Sequence, residues 1–395
     1  MKYAIIIPDG AADVPQVDLG GRTPLEAASM PNAAWIARHG KCGQVANVPE
    51  GMEPGSDVAT MSVLGYNPSE YHTGRAPIEA AARGLDVGPD QWVVRCNLVT
   101  IIDGVMIDHS AGHISTEEAA EIIAQINDRL GSDAATFYAG VSYRHLLVLA
   151  GELAVHTTAP HDILGQKADD YLPKGKGAKE LTRLIKASRE LLANHEINDV
   201  RADLRENPAT SIWLWGQGKM PSLPSFRDRF GLSGAVVAAV DLVRGLARLI
   251  GWDCINVKGA TGYLDTDYAG KGAAAVAALA DHDVVCVHIE APDEAGHQGD
   301  AKAKVHALEM IDHHIIGRVV EHLRGQDTPW RVLVLPDHPT PCTIRTHTAD
   351  PVPFAMAGLG IDAVRGASFT ETAAQASDLF IPRGCDLMEF FLTVR

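Results

Sequence analysis

The sequence predicts an α/β fold: a doubly wound, mostly parallel sheet core with an inserted α+β domain. Three observations point there. Short apolar runs that stop at turn residues recur toward both ends of the chain, apolar residues at three- and four-residue spacing lie between them, and the middle of the chain reads as hairpins.

The first apolar run, "YAIII" before "PDG", reads as a buried strand, because a continuous run bounded by turn residues suits a parallel sheet covered on both faces. Comparable runs are "DCINV" (253–257), "VVCVHI" (284–289), "RVLVL" (331–335) and "PFAMAG" (353–358). Residues 234–250, 271–280 and 300–324 carry the helical spacing. In the middle, "WVVRCNLVTIIDGVMIDH" holds an Asp103-Gly104 turn between two β-rich runs, a hairpin signal. A helix follows from Ser115, opened by a capping box ending at Glu118, then strands in "ATFYAGVSYRHLLVLAG" and a helix over 178–195. The expected division is a core of 1–71 and 233–395 with 72–232 inserted.

A chain of 395 residues exceeds one ordinary domain of roughly 100–200 residues. With 46% hydrophobic and 21% charged residues it belongs with soluble globular proteins. A formal net charge of −16 and the lack of any Lys/Arg run argue against nucleic acid or an anionic membrane as partner. The six cysteines are scattered without a CxxC pair, which suits reduced thiols. No signal-peptide pattern or bilayer-length apolar run occurs, so a cytoplasmic location is expected.

In an open α/β sheet, reactive groups gather beyond the carboxyl ends of the strands. Asp9 ends the first run, Asp293 and His297 follow the run at 284–289, and Asp337-His338 follow the run at 331–335, with His347 next. Carboxylate oxygen and imidazole nitrogen together suit Mn²⁺, Zn²⁺ or a partly histidine-ligated Mg²⁺, and this many donors suggests two ions. Any one such Asp is otherwise a helix cap or turn former. Asp293 and His297 are four residues apart and share a face if the segment is helical, while Gly296 keeps a loop open as the alternative. Glu290 and Glu294 are expected to make outer contacts, and Asp300 to cap the next helix.

Ser56, in "PGSDVATMSVLGY", reads either as an N-cap or as a nucleophile at a helix N-terminus, where free N–H groups favour a phosphate. In the insert, Arg75, His113, Arg144, His145, His161 and Asp162 could recognise phosphate or carboxylate as part of a lid. His306, His313, His314 and His322 read as structural.

Asp9-Gly10, Gly55-Ser56-Asp57, "EAPDEAGH", "PDH" and "HTADPVPF" resemble, in this order, the archaeal-type cofactor-independent phosphoglycerate mutases of the alkaline phosphatase superfamily. The blocks "GGRTPLEAA", "HSAGHISTEEA", "VSYRHLLVL", "APHDI" and "GATGYLDTDYAGK" extend the resemblance along the whole chain. It implies an alkaline-phosphatase-like core, two divalent metals with Mn²⁺ favoured over Mg²⁺, Zn²⁺ or Co²⁺, and no 2,3-bisphosphoglycerate. Asp9, Ser56, Asp337 and His338 match one metal site, and Asp293, His297 and His347 the other. Ser56 matches the phosphorylated nucleophile. His113, Arg144 and Asp162 match substrate-binding motifs, with Arg75 and Lys258 further candidates.

The implied reaction moves a phosphoryl group between the 3- and 2-hydroxyls of glycerate through phosphoserine, in a closed site that excludes water. The sequence departs from many members at Pro339, directly after the Asp-His pair. A bacterial branch with that pattern is associated with homoserine phosphorylation, so a homoserine kinase-like phosphotransferase or a metal-dependent phosphohydrolase is the alternative. No GxxxxGK[ST] loop supports a P-loop kinase.

Overall fold

Ile5, Ile6 and Ile7 are all fully buried. Successive strand residues face opposite ways, so their strand must be covered on both faces. In the computed structural model, which describes residues 1–363 and 368–393, this strand, Lys2–Pro8, lies inside an eight-stranded sheet. The order is Asp253–Ile255, Gly234–Val237, Val284–Ile289, Lys2–Pro8, Trp330–Val334, Val352–Gly358, Lys41–Val45, Phe380–Ile381. The first five run parallel. Val352–Gly358 is antiparallel to both its neighbours.

Register positions the chemistry. Ile7 pairs with His288 and Pro8 with Ile289 on one side, and Ile6 pairs with Val334 on the other. The three strands therefore end together, and Asp9, Glu290 and Asp337 leave neighbouring strand tips, as a parallel sheet requires of its functional crevice.

The helical reading of 234–250 is corrected: Gly234–Val237 is a strand and only Asp241–Leu249 is helical. An unbroken apolar run cannot separate the two states. Pairing decides, because Gly234–Val237 lies in parallel register with Val284–Val287 on one side and Asp253–Ile255 on the other. The helix expected over 300–324 is also interrupted, with a π turn at Asp312–Ile316 between Ala301–Ile311 and Gly317–Arg324. Asp312, at the start of that turn, accepts from the N–H groups of Asn32 (3.1 Å) and Ala33 (2.8 Å) at the start of helix Pro31–Arg38. Asp300 caps Ala301–Ile311, accepting from the N–H of Lys302 and Ala303.

The chain packs as two units, Met1–His72 with Ser222–Arg395, and Thr73–Pro221. Residues 222–232 sit with the first unit rather than the insert: Tyr66 Oη donates to Pro224 O at 2.9 Å, and the Phe226 ring packs edge-on to Trp252. The second unit is an antiparallel sheet around Gln91–Ile102, which pairs with Val105–Asp108, Arg144–Ala150 and Ser211–Gly218. The hairpin turn has positive φ at Asp103 and Gly104. Helices Thr116–Leu130, opened by the Ser115–Glu118 capping box, and Ala178–Leu192 bury their apolar faces on this sheet. Among the described residues no helix is long and apolar enough to cross a membrane, and no cysteine is paired.

Candidate metal centre and active site

The segment after Ile289 is a helix, Ala291–Gln298, with Gly296 inside it. A Cβ at Gly296 would lie 2.4 Å from Thr340 O, so this turn needs glycine to approach the neighbouring loop. One helical turn brings His297 Nε2 to 3.1 Å from Asp293 Oδ2, and His347 Nε2 lies 3.4 Å from Asp293 Oδ1. The two Nε2 atoms are 2.9 Å apart. Each ring is oriented through its other nitrogen: His297 Nδ1 lies 3.0 Å from Arg345 O, and His347 Nδ1 lies 3.3 Å from Pro54 O. With Nδ1–H kept on a carbonyl, loss of the Nε2 proton to an incoming cation would leave the Nε2 lone pair free, the tautomer a metal ligand needs.

The second constellation is deeper. Asp9, Asp337 and His338 are fully buried. His338 Nε2 lies 3.4 Å from Asp9 Oδ1 and 3.7 Å from Asp337 Oδ2, with its Nδ1 toward Pro339 O. Asp337 Oδ1 accepts from the N–H groups of Gly10 and His338. Ser56 is the first residue of helix Ser56–Val63, and Gly55 holds the cap position. The N-cap reading of Ser56 is therefore corrected, and its hydroxyl is not spent on capping. Ser56 Oγ lies 3.3 Å from Asp9 Oδ2 and 3.2 Å from His338 Nε2.

The donors fit divalent cations. Three trios place ligand atoms within 4.8 Å of one another: Asp293, His297, His347; Asp9, Asp293, His338; and Asp9, His288, Asp337. Among the described residues Asp9 Oδ1 and both ring nitrogens of His288 have no hydrogen-bond partner. A buried polar atom left so costs about 1–3 kcal/mol, which coordination to a cation would offset. Burial, then the charges of Asp337, Glu290 and Asp293, push Asp9 well above the usual carboxylate range. Burial likewise lowers His338. Burial works against Asp293 too, but hydrogen bonds from His297 and His347 outweigh it and hold its carboxyl well below the usual range.

In the second unit, Arg75, His113, Arg144 and Asp162 are exposed, while His145 is buried and accepts from Gly140 N. His113 packs edge-on to Tyr143, Arg144 lies 5.8 Å over the same ring, and His109 joins Tyr143 to His161. His161 meets Trp215, and Arg95 stacks 4.2 Å over that indole while pairing with Glu79 at 3.2 Å. The insert thus carries one connected surface of imidazole, guanidinium and aromatic groups. Lys258 is an exposed loop residue of the first unit.

A family model for 2,3-bisphosphoglycerate-independent phosphoglycerate mutase matches residues 37–198. The mutase of that name from Methanothrix thermoacetophila is 47% identical over 392 residues, which is 99% of this chain and 100% of that protein. A probable one from Geobacter sulfurreducens is 45% identical over 398 residues, 99% of this chain and 100% of that protein. The chain belongs to the archaeal-type family of 2,3-bisphosphoglycerate-independent phosphoglycerate mutases. Among solved structures, the PH0037 protein of Pyrococcus horikoshii superposes with a TM-score of 0.85 at 30% identity, over 99% of this chain and 96% of that one. The cofactor-independent phosphoglycerate mutase of Thermoplasma acidophilum gives 0.71 at 27% identity, over 99% of each chain.

The sequence reading did not single out His288, whose ring faces Asp9, nor Arg95, His109, Tyr143 and Trp215 of the aromatic cluster in the second unit. His288 hides in a run whose other residues are apolar. Arg95 and Trp215 sit on paired strands, directly opposite each other. Their only signal was a charged or bulky residue among β-formers, which is too common to single out.

Proposed function

We propose that this chain interconverts 3-phosphoglycerate and 2-phosphoglycerate without 2,3-bisphosphoglycerate, through a phosphorylated Ser56, at a centre holding two divalent cations. The observation that carries the reading is the place of Ser56: a buried hydroxyl at a helix N-terminus, 3.3 Å from Asp9 and 3.2 Å from His338, unused as a cap. Relatives named as such mutases match it end to end.

Asp293, His297 and His347 would hold one ion, and Asp9, Asp337, His338 and Ser56 the other. Mixed oxygen and nitrogen donors suit Mn²⁺, Zn²⁺ or Co²⁺, of which the family resemblance favours Mn²⁺, and bound cations neutralise phosphoryl charge and lower a hydroxyl pKa. Ser56 Oγ accepts the phosphoryl group from the 3-oxygen of the substrate and returns it to the 2-hydroxyl oxygen. The N–H groups of the first turn of Ser56–Val63 have no partner within the helix and favour a phosphate on that oxygen. His113, Arg144, Asp162 and Arg75 are the substrate-recognising groups of the second unit, and Lys258 a further one of the first.

The test couples turnover of 3-phosphoglycerate by the Mn²⁺-loaded chain to enolase, with and without 2,3-bisphosphoglycerate. Equal turnover in both supports the reading. No turnover with Mn²⁺, Mg²⁺, Zn²⁺ or Co²⁺, alongside ATP-dependent phosphorylation of homoserine or simple phosphate release, overturns it.

A further inference from the structure

His297, His347 and His338 share one layout: Nδ1 against a backbone carbonyl and Nε2 turned to a carboxylate. His288 repeats it with a side chain in place of the carbonyl. It is fully buried near the tip of Val284–Ile289, its Nε2 lies 3.3 Å from Asp9 Oδ2, and its Nδ1 lies 3.9 Å from Glu290 Oε2. Its backbone is pinned on two sides, by the register with Ile7 and by the buried Lys271 Nζ, which donates to His288 O at 3.3 Å. Neither ring nitrogen, nor Glu290 Oε2, has a hydrogen-bond partner among the described residues. An imidazole that only filled the core would leave two buried ring nitrogens without a hydrogen bond, where a valine or leucine fills space without that cost.

We propose that His288 is a further ligand, through Nε2, of the cation that Asp9 and Asp337 hold, oriented by Glu290 at Nδ1. This rests on the metal-centre reading above. Glu290, His288 and the ion then form a carboxylate–histidine–metal series, which fixes the tautomer and raises the donor strength of the ring. A neutral nitrogen donor added to two carboxylates biases the site toward Mn²⁺, Co²⁺ or Zn²⁺ over Mg²⁺ without changing its charge.

The test is calorimetric titration of Mn²⁺, and separately Mg²⁺, into chelator-stripped wild type, His288→Asn and Glu290→Gln, with Co²⁺ visible spectra of each. In wild type two Mn²⁺ steps are expected. His288→Asn weakens one of them at least about 10-fold, leaves the other within about 2-fold, narrows the Mn²⁺ over Mg²⁺ preference and changes the Co²⁺ band of the affected step. Glu290→Gln moves the same step in the same direction and decides the matter if His288→Asn does not fold. Two unaltered Mn²⁺ steps and an unaltered Co²⁺ spectrum in a folded variant overturn the role of His288 alone. No Mn²⁺ uptake by wild type overturns the metal-centre reading and this ligand with it.

Discussion

His297 Nε2 stands 3.1 Å from Asp293 Oδ2 and 2.9 Å from His347 Nε2, so one carboxylate faces two imidazoles. The hydrogen bond to Asp293 pushes His297 up to about 9, against the opposing effect of its partial burial. An imidazolium cannot ligate, so a metal entering below that pH must displace the proton. Apparent Mn²⁺ affinity should therefore rise with pH and flatten above about 9. Titrations near neutral pH in buffers of different ionisation enthalpy should show release of about one proton per ion at this site. The metal-free fold carries the opposite sign. The His297 contribution is full below its ordinary value of 6.5 and is lost as pH rises through about 9, so the melting temperature of stripped protein should fall across that window. Affinity independent of pH would exclude the protonated pair.

Ser56 caps nothing, but its buried hydroxyl donates to Asp9, so Ser56→Ala should stay folded at a cost of about 1–3 kcal/mol in a denaturant melt. Turnover should fall by at least about 10⁴-fold, the scale on which removing a nucleophile acts. A Ser56→Ala chain that keeps full turnover would refute the phosphoserine route. One that loses turnover because it unfolds is recognised by its melt.

How far the sequence showed this site depends on where each residue sits relative to its strand. Asp9, Asp293 and Asp337 were visible because each acid follows an apolar run, and an acid at the mouth of a buried strand needs a reason. His288 was invisible for the complementary reason: it lies inside such a run, where periodicity does not tell a core imidazole from a ligand. The insert shows the same limit. Its hairpin and capping box are local patterns and were readable, whereas the stacking of Arg95 on Trp215 depends on the pairing of two strands far apart in the chain. The misread stretch at 234–250 fails likewise, since the parallel pairing of Gly234–Val237 with Val284–Val287 and Asp253–Ile255 decides it, and no local pattern shows that pairing.

Gly10 has φ +59°, and a Cβ there would meet Asp293 Oδ1 and Thr340 Oγ1 at 2.5 Å. Thr340 Oγ1 itself donates to Asp293 Oδ1 at 2.5 Å, so the methyl of Gly10→Ala must displace one partner of that contact. Gly20 is the matched control: its φ is +68° and no described residue lies within 4 Å of an added Cβ. Both alanine variants should lose about 1 kcal/mol or more to backbone strain. Only Gly10→Ala should also weaken Mn²⁺ binding, by about 10-fold or more. Equal metal affinity in the two variants would mean that Asp293 tolerates displacement.

Lys304 and Asp13 form a fully buried ion pair at 2.8 Å, and Lys304 Nζ also donates to Thr340 O at 2.8 Å and Ala12 O at 3.4 Å. One ammonium thus ties the segment after the first strand to the loop that carries Thr340, whose hydroxyl holds Asp293. Asp13 gains further donors from Gln16 Nε2 and the N–H of Cys342. Removing the cation alone leaves a buried carboxylate without its charge partner, so Lys304→Met should cost about 3–5 kcal/mol in a denaturant melt. Asp13→Asn combined with Lys304→Met should cost clearly less than the sum of the two singles, because the second change removes the charge that the first stranded. Added salt should move the Lys304→Met difference little, since buried pairs are poorly screened. Strict additivity in the double-mutant cycle would show that Asp13 is held by its other donors and that the ion pair is incidental to the fold of this loop.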